Sequence, residues 1–304
     1  MRPLFPALSA LSALVIAASA AAAHEFWILP GTFHPRPNAA FPVSIHHGER
    51  LAGDTVPRND DTIRRFELRT LPSEDGAHNG ARDDSTVAPV VGLSASPRSF
   101  AKNPAQTGAV LIYESEWMPS ILPAKKFNAY LEEEGLTQIA AWRARAGETH
   151  AEGRERYRRC AKALISSRDP DTETNTETDT ESDDRPRDTP VGLPCEIVIV
   201  RTSADAIHAR VLFEGEPLRG IEVVAANQTN PTDLQRTTTD SEGLARFDHT
   251  HPDTWLITTL YMRAADAEPG NNQPGSTPEF DWESDWASTV FSTAAAHTNP
   301  AQTN

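Results

Sequence analysis

Short stretches in which apolar and polar residues alternate run through most of the chain. Phe41, Val43 and Ile45 fall on one face of an extended segment. Ile63–Leu68 and Ala109–Tyr113 repeat the pattern, and Pro, Gly, Asp and Asn fill the gaps between them as turn residues. From residue 124 the spacing changes. Phe127, Tyr130 and Leu131 recur at helical intervals in Ala124–Glu134, and Gly135 supplies a stop. Gln138–Arg145 reads as a second short helix. Glu152–Leu164 reads as a third, with Tyr157, Cys160, Ala161 and Leu164 on one stripe. Strand patterns return at Glu196–Arg201, Ala206–Phe213, Ile221–Ala225, Ala245–Phe247, Trp255–Met262 and Ser288–Phe291. This is the rhythm of β-sandwiches and not of alternating βαβ units.

The expected organisation follows. Residues 24–120 and 191–292 form two β-sandwich domains, with a helical insertion over 121–168. An acidic loop over 169–190 and a disordered tail over 293–304 complete the chain. Residues 169–184 hold eight acids and no base, so they cannot bury apolar surface. Residues 1–23 read as a cleaved secretory signal: Arg2 is their one charge, an apolar run follows, and small residues precede Ala23. That run is too short to span a bilayer, and no other run reaches membrane-spanning length.

Charge narrows the function classes. Asp and Glu number 43 against 28 Lys and Arg, giving −15, and losing Arg2 with the signal makes −16. Such a balance argues against a nucleic-acid surface and suits an exported protein that meets cations. The two cysteines, Cys160 and Cys195, predict one disulfide in an oxidising compartment, with a thiolate metal site as the rival expectation. A bridge there would close a loop of about 35 residues, worth roughly 3–4 kcal/mol in the chain-entropy account.

Signal cleavage would make His24 the first residue, leaving a free amine beside an imidazole. Those two nitrogens can chelate one divalent transition metal, Cu, Ni or Co. His46 and His47 end an early strand, and alternation lets only one of them face a common site with His24. His249 and His251 form an i, i+2 pair that would share a face if extended. Each of these histidines has a plainer reading as a strand-end or loop residue. His34, His78, His150, His208 and His297 are isolated and read as surface or structural. Asp281, Glu283 and Asp285 alternate with Trp282, Ser284 and Trp286, which predicts acids on one face and tryptophans on the other. No Gly-x-Ser-x-Gly elbow, phosphate loop or His-Glu-x-x-His helix is present, so the chain does not read as an enzyme.

Two motifs carry a resemblance. Gly215–Val223 followed by Thr239–Phe247 resembles the Ig-like or prealbumin-type sandwich, also found as the carboxypeptidase-regulatory type. In it a strand pair leads through a Thr-Asp-x-x-Gly turn to an aromatic strand residue. With His24–Trp27, Ala124–Gly135, Arg154–Tyr157, Cys160–Leu164 and Asp281–Ser288, the chain is similar to a periplasmic bacterial domain-of-unknown-function family described as nickel- or cobalt-uptake-associated. The resemblance implies binding or delivery of a metal ion to an outer- or inner-membrane transporter. Tyr261 stands where such relatives often carry a histidine, which implies a lost ligand or a phenolate in its place. A non-catalytic envelope interaction module and a copper oxidase with an N-terminal histidine brace are the competing readings.

Overall fold

One central sheet draws on both ends of the chain. The computed structural model describes residues 25–71, 85–102, 108–166, 188–203, 205–249, 251–265 and 279–293. The acidic tract at 169–184 and the stretch 1–23 expected as a signal lie outside them, as do His24, His78 and His297. The protein is mainly β, with two α-helices among the described residues. No helix there is long and apolar enough to cross a membrane.

At the middle of the central sheet are β10 (Gly153–Ile165) and β18 (Trp282–Ser292), paired in parallel from Glu155↔Trp282 to Ala163↔Val290. On one side β10 continues to β8 (Ala109–Ser115), β4 (Ile63–Thr70) and β5 (Val87–Pro89), with β9 (Met118–Leu122) pairing its first half. On the other side β18 continues to β17 (Thr254–Ala264), β14 (Glu222–Asn227) and β15 (Gln235–Thr238). Strands from the two stretches expected as separate sandwiches therefore meet in one sheet.

Both faces of that sheet are covered. On one lies a sheet of β1 (Glu25–Pro30), β2 (Ala40–Glu49), β3 (Ala52–Val56), β6 (Val91–Gly92) and β7 (Ser99–Lys102). Its Phe26, Ile28, Val43 and Ile45 pack on Leu111, Ala163, Leu256 and Val290. On the opposite face lies a sheet of β11 (Cys195–Thr202), β12 (Ala206–Phe213), β13 (Glu216–Pro217) and β16 (Leu244–Asp248). There Ile197, Val211 and Phe247 meet Ile112, Leu164, Ile257 and Phe291. Residue parity decides the layer: Leu111 and Leu256 point one way, Ile112 and Ile257 the other.

This double burial corrects the third helix expected at Glu152–Leu164. The segment is β10. Its apolar half, from Cys160 to Ile165, is buried on both faces, so no clean alternation survives there to be read. Tyr157, Cys160, Ala161 and Leu164 matched a helical stripe by coincidence. In the other half Arg154, Arg156 and Arg158 do alternate, and each meets an acid: Asp281 just before β18, then Glu283 and Asp285 within it. Arg263 of β17 completes the ladder, 2.5 Å from Glu283 and 2.7 Å from Asp285. The acids thus share one face and are matched by arginines, while Trp282 and Trp286 enter an apolar cluster under the helices.

Those helices are α1 (Ala124–Glu133) and α2 (Thr137–Ala146). Phe127, Tyr130 and Leu131 dock on Leu260, Met262, Trp282 and Trp286. Gly135 and Gly147 end them at φ of 66° and 73°, in the left-handed region that favours glycine.

A buried ion cluster ties the central sheet to the β11–β12 layer. Lys162 of β10 reaches Asp188 at 2.8 Å and Glu196 of β11 at 2.9 Å. The Glu196 carboxylate also accepts backbone N–H groups of Val191, Gly192 and Leu193, and Asp188 accepts that of Ile199. The chain leaving the acidic tract is anchored by these bonds.

The expected disulfide is absent: Cys160 and Cys195 are free, buried thiols. Both face the apolar layer between sheets, and burial pushes the Cys160 thiol up to about 12 and the Cys195 thiol well above its ordinary value. The thiolate needed for oxidation or metal ligation is therefore suppressed. Folded protein at pH 8 is expected to leave Ellman's reagent unreacted, and two thiols per chain should react after unfolding without reductant. No reactive thiol after unfolding would mean that the bridge forms after all.

Candidate functional site

Among the described residues, the histidines singled out in the sequence do not converge. His24 lies outside the described residues. The β1–β2 register sets Trp27 opposite His46 and Phe26 opposite His47, so the two histidine rings leave β2 on opposite faces. His46 hydrogen-bonds with the Ser44 hydroxyl at 2.8 Å and stacks on Trp27, ring centres 5.5 Å apart. Burial lowers its pKa. His47 continues the face of Val43 and Ile45, as alternation predicts.

His249 and His251 do not act as a pair. The His249 ring is buried, with Nδ1–H donating to the Ser203 carbonyl at 2.8 Å. Its Nε2 lies 3.0 Å from the Thr293 hydroxyl, so both nitrogens are taken. His251 is exposed and lies 3.5 Å from Asp253. Tyr261, half-buried in β17, meets Phe213 edge-on at 4.9 Å, on the central-sheet face turned away from His46 and His47. Among the described residues no three His, Cys, Asp or Glu side chains come together closely enough to hold one metal ion. The described part of the expected ligand set therefore does not fit a metal by itself.

What the fold does assemble is an acidic cleft at the first described residue. Glu25 opens β1, Glu49 ends β2 and Arg50 follows it, Glu133 ends α1 and Glu134 caps it, and Glu222 and Arg236 come from β14 and β15. Together they line a cavity of about 260 Å³ floored by Leu260 and Trp286. The Glu25 carboxylate accepts the Arg50 backbone N–H at 2.6 Å, and Glu222 pairs with Arg236 at 2.7 Å. The Glu134 backbone N–H donates to the Tyr130 carbonyl at 3.0 Å, but its carboxyl makes no hydrogen bond or ion pair among the described residues. Burial pushes its carboxyl up to about 8, and Glu25, Glu133 and Glu222 add to the rise against the pull of Arg236. Burial raises Glu25 as well, with help from Glu49. A second cavity of about 370 Å³ adjoins the first, sharing Glu134, Glu222 and Leu260.

Sequence reasoning missed this cleft because its acids come from four distant segments. One local signal was available. Glu132, Glu133 and Glu134 crowd the C-terminal end of a helix, where the helix dipole disfavours negative charge. A rule broken locally marks a place where function or strain is stored.

Glu134 yields a pH prediction. Its folded pKa of about 8 lies above the ordinary 4.5, so the folded chain binds the extra proton between those values. Stability then falls as pH rises through that window, and the loss is complete above it. Glu134→Gln should match the parent below pH 4.5. At pH 8.5 it should exceed it by on the order of 1–2 kcal/mol in urea unfolding, allowing for solvent screening. Equal stability of parent and variant at both pH values would contradict this.

Residues 21–263 match the family described as Domain of unknown function (DUF4198). The chain belongs to this family. The matched range holds β1 and the whole cleft except Trp286, and it ends before β18, so the Asp281–Ser288 stretch lies beyond it. No curated protein matches the chain. Among solved structures the chain is similar to the D0-D1 domain of Intimin at 11% identity, covering 87% of this chain and 96% of that one. The TM-score of that comparison is 0.17, too low to carry an argument.

Proposed function

We propose that this member of the DUF4198 family is an exported metal-binding protein. It holds a divalent transition metal, Cu, Ni or Co, through the amine and ring of His24 and serves an envelope transport system. The observation that supports this reading is the place of Glu25. The residue that follows His24 in the chain lines a cleft with four further glutamates and only two arginines. Burial and neighbouring acids raise the carboxyls of Glu25 and Glu134, and a cation arriving among them relieves that repulsion. Nitrogen donors with nearby carboxylates suit Cu(II) and Ni(II). His46, tied to Ser44, and His249, bonded at both nitrogens, are not needed as ligands in this reading.

The test is calorimetric titration of the chain beginning at His24 with Cu²⁺, Ni²⁺ and Co²⁺. One equivalent should bind, with proton release, and affinity should fall as pH drops. The α-amine (reference about 7.7–8.0) and imidazole (about 6.5) must both lose protons to coordinate. Equal binding by the His24→Ala chain would refute the assignment.

A further inference from the structure

The two adjoining cavities carry chemistry that a bare metal ion does not use. The larger has a mixed lining: Leu136 and Ile139 from the start of α2, Ile221 from the approach to β14 and Met262 from β17 give it an apolar wall, and Thr137, Gln138 and Arg219 stand among them. Its polar junction with the acidic cleft is made by Glu134 and Glu222, which line both. On the acidic side the floor includes Trp286, whose ring is backed by Tyr130 at 6.2 Å in a near-parallel stack. The acids stand around the wall without converging on one point, as the lack of any three-ligand group among the described residues requires.

Spread carboxylates, an aromatic ring and a lobe with one apolar wall together complement a charge that is itself spread over N–H and C–H groups. We infer that this two-lobed cavity binds an organic ammonium ion with an apolar body, its head between Glu134 and Glu222 beside Trp286 and its body along Leu136, Ile139 and Ile221. Indole faces attract such cations, and carboxylates accept their N–H bonds as charge-assisted hydrogen bonds. A lobe of about 370 Å³ falls in the range of roughly 300–1,000 Å³ that small organic ligands occupy. The carboxyl of Glu134 is the group that gains most, because no hydrogen bond or ion pair holds it among the described residues and only the longer-range pull of Arg236 acts on it. This inference stands apart from the metal reading, since none of the groups it uses belongs to His24.

Three probes separate head from body: phenethylammonium, methylammonium with the head alone, and 3-phenylpropionate with the body and the opposite charge. Calorimetry at pH 9, above the Glu134 value of about 8 so that its carboxylate is ionised, with tryptophan fluorescence alongside, should show one equivalent of phenethylammonium bound. Methylammonium should bind about tenfold more weakly or worse, and phenylpropionate not at all. Glu134→Gln should weaken phenethylammonium about tenfold. Ile139→Ser should weaken it several-fold and leave methylammonium unchanged. His24→Ala should leave phenethylammonium binding intact, so failure of metal binding and failure of amine binding are read separately. Phenethylammonium binding no more tightly than methylammonium, or with equal affinity to parent, Glu134→Gln and Ile139→Ser chains, would overturn the inference.

Discussion

Lys162→Met is expected to lower stability by about 3–5 kcal/mol in urea unfolding at pH 7, because it strips from a buried cluster the one cation that the described residues place there. Lys162 is fully buried between Asp188 and Glu196, themselves buried at 0% and 2% exposure. The Asp188 carboxyl is already pushed up from its ordinary range by burial, with Lys162 pulling against it. Removing the ammonium leaves two acids facing each other out of water. Glu196 cannot simply be exchanged as well, since it also satisfies the N–H groups of Val191, Gly192 and Leu193. The loss should shrink at acid pH, where the stranded carboxyls protonate, and Asp188→Asn should recover part of it at neutral pH. A loss under about 1 kcal/mol would mean that water reaches the cluster.

Gly153→Ala carries the next largest expected effect. A Cβ at residue 153 would lie 2.2 Å from Cγ of Phe127, a ring with no solvent exposure. The Arg143 guanidinium over that ring, at 4.8 Å, and Tyr130 at 5.8 Å leave it little room to retreat. Overpacking of this kind costs about 1–3 kcal/mol, and full expulsion of the ring approaches the roughly 3–5 kcal/mol of a Phe→Ala change. A double-mutant cycle makes the cause explicit. In a Phe127→Ala background, Gly153→Ala should cost little, giving a strongly non-additive pair. Additive losses would place the strain elsewhere.

Much of the fold could be read from periodicity, and the places where it could not share one physical cause. Phe41, Val43 and Ile45 alternate because β2 has one buried face, and Phe127, Tyr130 and Leu131 betray α1 for the corresponding helical reason. β10 defeats the same test because its apolar half is covered on both sides. The charges held a better clue: Arg154, Arg156 and Arg158 share the period of two with Asp281, Glu283 and Asp285, as paired strands require. The cysteines were misread because compartment chemistry says that bridges are favoured, not that two thiols are placed for one. His249 shows the limit for sites, since a ring bonded to Ser203 and Thr293 looks in sequence like any loop histidine. The cleft needed Glu25, Glu49, Glu134 and Glu222 to be brought together by tertiary packing, and only the acids ending α1 hinted at it.

The central claim is that the amine of His24, and not merely its ring, binds the metal. The most direct measurement compares Cu²⁺ affinity for the chain beginning at His24 with that of a chain carrying one alanine before it. The extension keeps the imidazole and every glutamate of the cleft, and moves the free amine out of the chelate. Affinity is predicted to fall by about a hundredfold or more, some 2.7 kcal/mol. Equal affinity of the two chains would contradict the account.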